Sequence, residues 1–193
     1  MKLKAAPRAG SVVVEVETRK GGLPPISLPE LKLKRILLPV DFSECSQKAL
    51  EYAISFARQF QSELLLLHVV ETVYPPPELV VLDSAALDHR VRDAAARQLA
   101  AWSKEISGVR ARGLIRSGVP HHEIVAAAEE SNIDLIILGT HGRSGMAHLF
   151  LGSTAERVVR RAPCPVMVVR EREHDFVEAP RSTRAVRSST RRA

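Results

Sequence analysis

The chain has 193 residues, 45% hydrophobic and 4% aromatic, enough for one domain built mainly on Leu, Val, Ile and Ala and too short for two. Its formal charge of +6 is confined to the ends: residues 1–35 hold eight Lys/Arg against three Glu, and the last thirteen hold five Arg and no acid. The middle is therefore mildly acidic, which argues against a globular nucleic-acid binder and limits any such contact to the basic tail.

Residues 1–32 read as an N-terminal extension and linker, with Gly21-Gly22, Pro24-Pro25 and Pro29 as turn signals. Alternation at Val12, Val14 and Val16 predicts a short extra strand there. Residues 35–40 (RILLPV) predict a buried strand, and Asp41-Phe-Ser-Glu44 an N-cap at Asp41 with an acid three residues on. Helical spacing of Ala49, Leu50, Ala53, Ile54, Ala57 and Phe60 predicts an amphipathic helix over 43–60. A second buried strand follows at 63–70. Leu87, Val91, Ala95, Leu99, Trp102 and Ile106 then form the inward stripe of a longer helix. Residues 110–116 are a weaker strand interrupted by Gly113. A third helix runs from Pro120 to about Ser131, and 134–138 (DLIIL) is a fourth strand. A last helix at 153–162 and a last strand at 166–169 close the pattern, and the Arg- and Ser-rich residues 172–193 read as a disordered tail. Near-continuous apolar strands alternating with helices imply an α/β fold: a parallel sheet covered on both faces.

No apolar run approaches the roughly 20 residues of a membrane span. Glu15 and Glu17 interrupt the N-terminal apolar stretch too early for a secretory signal, so a cytoplasmic protein is expected. Cys45 and Cys164 are far apart and outside any C-x-x-C spacing, which speaks against a structural disulfide or thiolate metal site. Cys45 reads as a small buried thiol, with a redox role at the helix start as the alternative. His68, inside a buried strand, reads as a core histidine. His121-His122 do not read as a metal pair.

After the fourth strand the chain runs Gly139-Thr-His-Gly142-Arg-Ser-Gly145 and on to Gly152-Ser153-Thr154. Glycines directly after a parallel strand permit a tight turn and close backbone approach. The Gly152-Ser153 step opens a helix whose first N–H groups and dipole favour an anion. Neither G-x-x-x-x-G-K-[ST] nor a first-strand G-x-G-x-x-G is present, and no lysine follows Lys104. Taken alone, the glycines fit a structural turn as well as a phosphate loop.

From about Leu33 to Arg170 the chain resembles the universal stress protein family. The resemblance is carried by RILLPVDFS, LLLLHVVE, GVPHHEIVAAAEESNIDLIILGTHGRSG and FLGSTAERVVRRAPCPVMVV. The family's nucleotide pattern, G-x2-G-x9-G-(S/T), is met by Gly139, Gly142 and Gly152-Ser153. The resemblance implies a domain over 33–171 with one open five-stranded parallel sheet in order 3-2-1-4-5, helices on both faces, of the adenine nucleotide alpha hydrolase-like kind. It further implies that ATP, with Mg²⁺, binds where the strand order reverses. Pro39, Val40 and Asp41 would line the adenosine side with Val69 near the base. Gly139, His141, Gly142, Arg143, Gly152, Ser153 and Thr154 would take ribose and phosphates. Arg143 is the candidate phosphate cation, since Arg pairs bidentately with phosphate oxygens. Ala155 departs from members that carry a hydroxyl there.

The implied function is a stress-response binding or switch module, and the absence of a dedicated acid and phosphate lysine in the loop limits it to slow hydrolysis at most. A homodimer is expected through the last strand, 165–169, with Pro165 and Val169 at its ends. The alternatives are a non-nucleotide-binding homodimeric adaptor and a nucleotide-using enzyme of the same fold.

Overall fold

The computed structural model of the chain describes residues 2–5, 12–15, 30–71, 84–140, 151–170 and 177. Its elements are β1 (Lys2–Ala5), β2 (Val12–Glu15), β3 (Arg35–Pro39), α1 (Glu44–Phe60), β4 (Glu63–Glu71), α2 (Ser84–Glu105), β5 (Ala111–Gly118), α3 (Pro120–Glu130), β6 (Leu135–Gly139), α4 (Ser153–Arg161) and β7 (Val166–Val169). The chain divides into two compact units, Met1–Leu31 and Lys32–Ala193. In the first, β1 and β2 form an antiparallel ladder in which Leu3 faces Val14. The expected valine strand is thus present, with a partner at 2–5 that alternation did not reveal. The linker glycines and prolines at 21–29 and the Arg-rich tail lie outside the described residues.

The second unit is built on a five-stranded sheet in the order β5-β4-β3-β6-β7. Every neighbouring pair in it is parallel. Ile36, Leu38, Leu64, Leu66 and Ile137 point to one face, where they pack with Ala49, Tyr52, Ala53 and Ala57 of α1 and Leu99 of α2. Leu37, Leu65, Leu67, Ile136 and Leu138 point to the other, against Ile124, Ala127 and Ala128 of α3 and Ala155 and Val158 of α4. The strands read as unbroken apolar runs because both faces are covered. Each fully buried Leu or Ile contributes about 1.5–3 kcal/mol.

Three local details differ from the sequence reading. The cap of α1 is Ser43, whose hydroxyl accepts from Ser46 N–H at 3.2 Å, and not Asp41. Asp41 holds the cap instead: its Oδ1 accepts from the Ser43 N–H at 3.1 Å and the Ser43 hydroxyl at 2.6 Å. Gly113 does not interrupt β5, which runs unbroken through it. A Cβ there would lie 2.8 Å from Leu99 Cδ2, so the glycine makes room for α2 to seat on the edge strand. Finally, Val91 is 43% exposed, so among the described side chains the inward stripe of α2 is Ala95, Leu99 and the partly buried Trp102, continued by Ile106 just past its end.

Candidate functional site

β3 and β6 are neighbours, with Ile36 beside Leu135 and Leu37 beside Ile136. From β3 the chain leaves through α1 to β4 on one side; from β6 it leaves through α4 to β7 on the other. The two helices thus start at the carboxyl ends of adjacent strands on opposite faces of the sheet, the place where open α/β sheets receive ligands.

One wall is the turn from Pro39 to Ser43. The Val40 N–H donates to Leu67 O at 2.8 Å, extending the β3–β4 ladder by one bond. The His68 Nδ1–H donates back to Val40 O, also at 2.8 Å. Between these anchors Phe42 takes φ 65, a left-handed conformation that bulky residues rarely adopt. Its ring lies 4.7 Å from the His68 ring and 5.4 Å from that of Trp102, edge-on. Such local strain persists only where the surroundings over-determine it, and it gathers at functional turns. His68 is therefore half-buried and part of the frame of the turn, a role that reading it as a core residue missed. Its sequence signal is its position one residue beyond Leu67, which pairs with Pro39. Val69 follows on β4, half-buried against the α3 side of the sheet.

The other wall is the end of β6. Thr140, 3% exposed, donates its N–H to Val169 O at 2.9 Å and accepts from the Gly152 N–H at 2.7 Å. That second bond sets the start of α4 beside the end of β6. Gly152 is the N-cap of α4, with φ −64 and ψ 149, and no side chain caps the helix. The first N–H groups of a helix have no intrahelical acceptor, so those following Gly152 form an anion-favouring end with the dipole behind them. Ser153 is exposed and Thr154 half-buried there, while Ala155 is 4% exposed and part of the core. A small apolar residue at 155 is thus a packing requirement. Glu156, the nearest acid, turns down the helix to Arg160, with Nη2 3.0 Å from Oε1.

Of the expected site residues, the structure brings Pro39, Val40, Asp41, Val69, Gly139, Gly152, Ser153 and Thr154 to the same carboxyl edge of the sheet. His141, Gly142 and Arg143 lie outside the described residues. Cys45 is buried in the first turn of α1, its Sγ 3.6 Å from Thr140 Oγ1 and 3.8 Å from Val169 O.

Residues 32–170 match the family model described as the universal stress protein family. The chain belongs to the universal stress protein family. Universal stress protein MJ0531 of Methanocaldococcus jannaschii is 36% identical over 141 residues, covering 72% of this chain and 82% of its own. Among solved structures, MJ0577 of the same organism superposes with TM-score 0.65 at 32% identity, over 75% of this chain and all of that one. A universal stress protein solved in complex with cAMP matches with TM-score 0.54 at 22% identity, over 72% of this chain and 98% of that one, a likeness of fold. As in those relatives, the universal stress protein domain here is a single parallel sheet with two helices on each face. Among the described residues no helix is long and apolar enough to cross a membrane.

Proposed function

We propose that this universal stress protein binds ATP, or a close adenine nucleotide, in the crevice between β3 and β6 as a stress-response switch with at most slow hydrolysis. The observation that carries the reading is the uncapped start of α4 at Gly152, held beside the end of β6 by the Thr140–Gly152 bond. Gly152 has a backbone conformation open to any residue, so the turn itself does not call for glycine. Close approach of a phosphate does. Ser153, Thr154 and the first α4 N–H groups would hold phosphate oxygens, with Gly139, His141, Gly142 and Arg143 completing the G-x2-G-x9-G-S pattern. Pro39, Val40 and Asp41 would border the adenosine, and Val69 the base. An adenine nucleotide is compatible with the fold, since the neighbour of the same fold was solved with cAMP.

Mg²⁺ would arrive with the phosphates: among the described residues no group of three or more His, Cys, Asp or Glu is placed to hold a metal ion. Glu156 is paired with Arg160 and Asp41 Oδ1 holds the Ser43 cap, an arrangement that supports slow hydrolysis at most. Calorimetry with Mg-ATP tests the reading. Binding below millimolar and turnover far under the ~10 s⁻¹ of a median enzyme are expected. No binding of ATP or ADP at millimolar concentration overturns the ligand, and enzyme-like turnover overturns the switch.

We further propose a homodimer in which β7 pairs with β7 of a second copy. In the sheet order β7 is an edge, short and free of charge, and such an edge offers unpaired N–H and C=O groups to another strand. A two-fold axis would satisfy both copies with one self-complementary surface. The domain assignment keeps 33–171 as the functional unit, with a cytoplasmic setting and the basic tail as the place for any nucleic-acid contact.

A further inference from the structure

We propose that the opposite, amino-terminal edge of the sheet carries a second anion site, taking a small phosphate-bearing anion. A cavity of about 640 Å³ lies there, between the C-terminus of α1, the starts of β3 and β4, and the turn before β5. Its volume is in the range of small-ligand sites. Four cations line it, Lys34, Arg35, Arg58 and Arg110, against the single carboxylate of Glu63.

Two of the guanidinium groups are oriented by backbone carbonyls. Arg58 Nη2 donates to Ser107 O at 2.8 Å, and Arg35 Nη1 donates to Ser131 O at 2.7 Å. Glu63 is shared between Arg112 outside the lining, with Oε1 3.1 Å from its Nε, and Arg35 within it, with Oε2 4.0 Å from its Nε. Among the described residues no ion pair engages Lys34 or Arg110. The partial negative charge of the α1 C-terminus offsets part of this positive charge, and Ala57 O there accepts from the Gln61 and Ser62 N–H groups. With Glu63 beside Arg35 and the Asp134 carboxylate accepting from the Lys34 and Arg35 N–H groups, the cavity still carries a net positive charge. A guanidinium fork pairs bidentately with carboxylate or phosphate oxygens, and several cations together favour the more highly charged phosphate. Nothing in this depends on what occupies the crevice at the other end of β3.

The test is an amide-shift titration of the isotope-labelled full chain with inorganic pyrophosphate, followed at Gln61, Ser62, Gly108 and Val109. Saturable shifts at these amides with a dissociation constant below about 1 mM are expected. The double variant Lys34→Ala/Arg110→Ala breaks no ion pair described here, so it should keep its melting temperature and lose about tenfold or more in affinity, as two charge-assisted bonds warrant. Shifts confined to residues 139–154 or to the C-terminal arginines overturn the site, and so does a double variant that binds like the parent. Preference for a hexaglutamate peptide over pyrophosphate would replace the phosphate ligand with an acidic polypeptide and overturn the assignment.

Discussion

A methyl group added at Gly139 would sit 3.0 Å from the carbonyl carbon and oxygen of Cys45 and 3.1 Å from its sulfur. Backbone atoms at that distance have to move, and moving them displaces the first turn of α1. Gly139→Ala is therefore expected to destabilise the fold by about 1–3 kcal/mol, read as a lowered midpoint in denaturant. Gly152→Val should keep its circular dichroism spectrum, with a midpoint lowered only by the poorer N-cap, about 1 kcal/mol or less, while losing Mg-ATP in calorimetry. Retained affinity in Gly152→Val would count against the crevice as the phosphate site. The spacing of the two glycines was legible in the sequence, but the difference between them was not. Nothing in a local pattern tells that Gly139 abuts Cys45 from a distant helix, whereas Gly152 meets no demand from its own backbone angles. Asp41 shows the same limit: an acid three residues before Glu44 reads as a cap, and only the turn geometry reveals that it holds Ser43, the residue that caps.

Helix α3 starts at Pro120 without a side-chain cap and carries His121 in the core at 5% exposure. Burial holds this imidazole below its ordinary value of 6.5, and the charges of His122 on α3 and of Arg157 and Arg161 on α4 push in the same direction. The folded chain thus binds the proton less tightly than the unfolded one, so this contribution to stability is present above pH 6.5 and is lost as the pH falls below it. His121→Leu should show a flatter decline in denaturation midpoint between about pH 7 and pH 5 than the parent. Parallel declines would mean that other groups carry the acid sensitivity. Most elements were legible at this scale because continuous apolar runs flanked by turn residues leave few alternatives to buried strands, as at Leu64 to Leu67. Two of the misreadings fall at the β5 edge of the sheet. Edge strand β5 keeps Gly113 to admit Leu99, and Val91 continues the periodic stripe of α2 yet faces solvent.

At the scale of the molecule, periodicity gave a parallel sheet and no strand order; the order came from the resemblance, and the register of β3 between β4 and β6 agrees with it. The edge this order exposes can be tested directly. The carbonyls of Pro165 and Val169 face β6, accepting from Ile136 and Thr140, so by alternation the N–H groups of Val166 and Val168 point outward. Val168→Pro removes an outward donor and no bond to β6. It should convert the proposed dimer to a monomer in light scattering while the sheet persists. A variant that stays dimeric, or a parent that is monomeric, would exclude pairing through β7. Charging Val169 would be a poor test, because that side chain is fully buried within its own sheet.

The bond from the Gly152 N–H to Thr140 O closes the chain on itself around residues 141–151. Both of its partners are fixed independently, Thr140 by Val169 and Gly152 by the helix it begins. The two ends of this stretch are thus clasped together at its base, with Leu151 packed against the core just before Gly152. Doubling the length of such a closed segment costs only about 0.6 kcal/mol. A change in the length of this stretch is therefore inexpensive for the fold, while the frame at its two ends stays as it is.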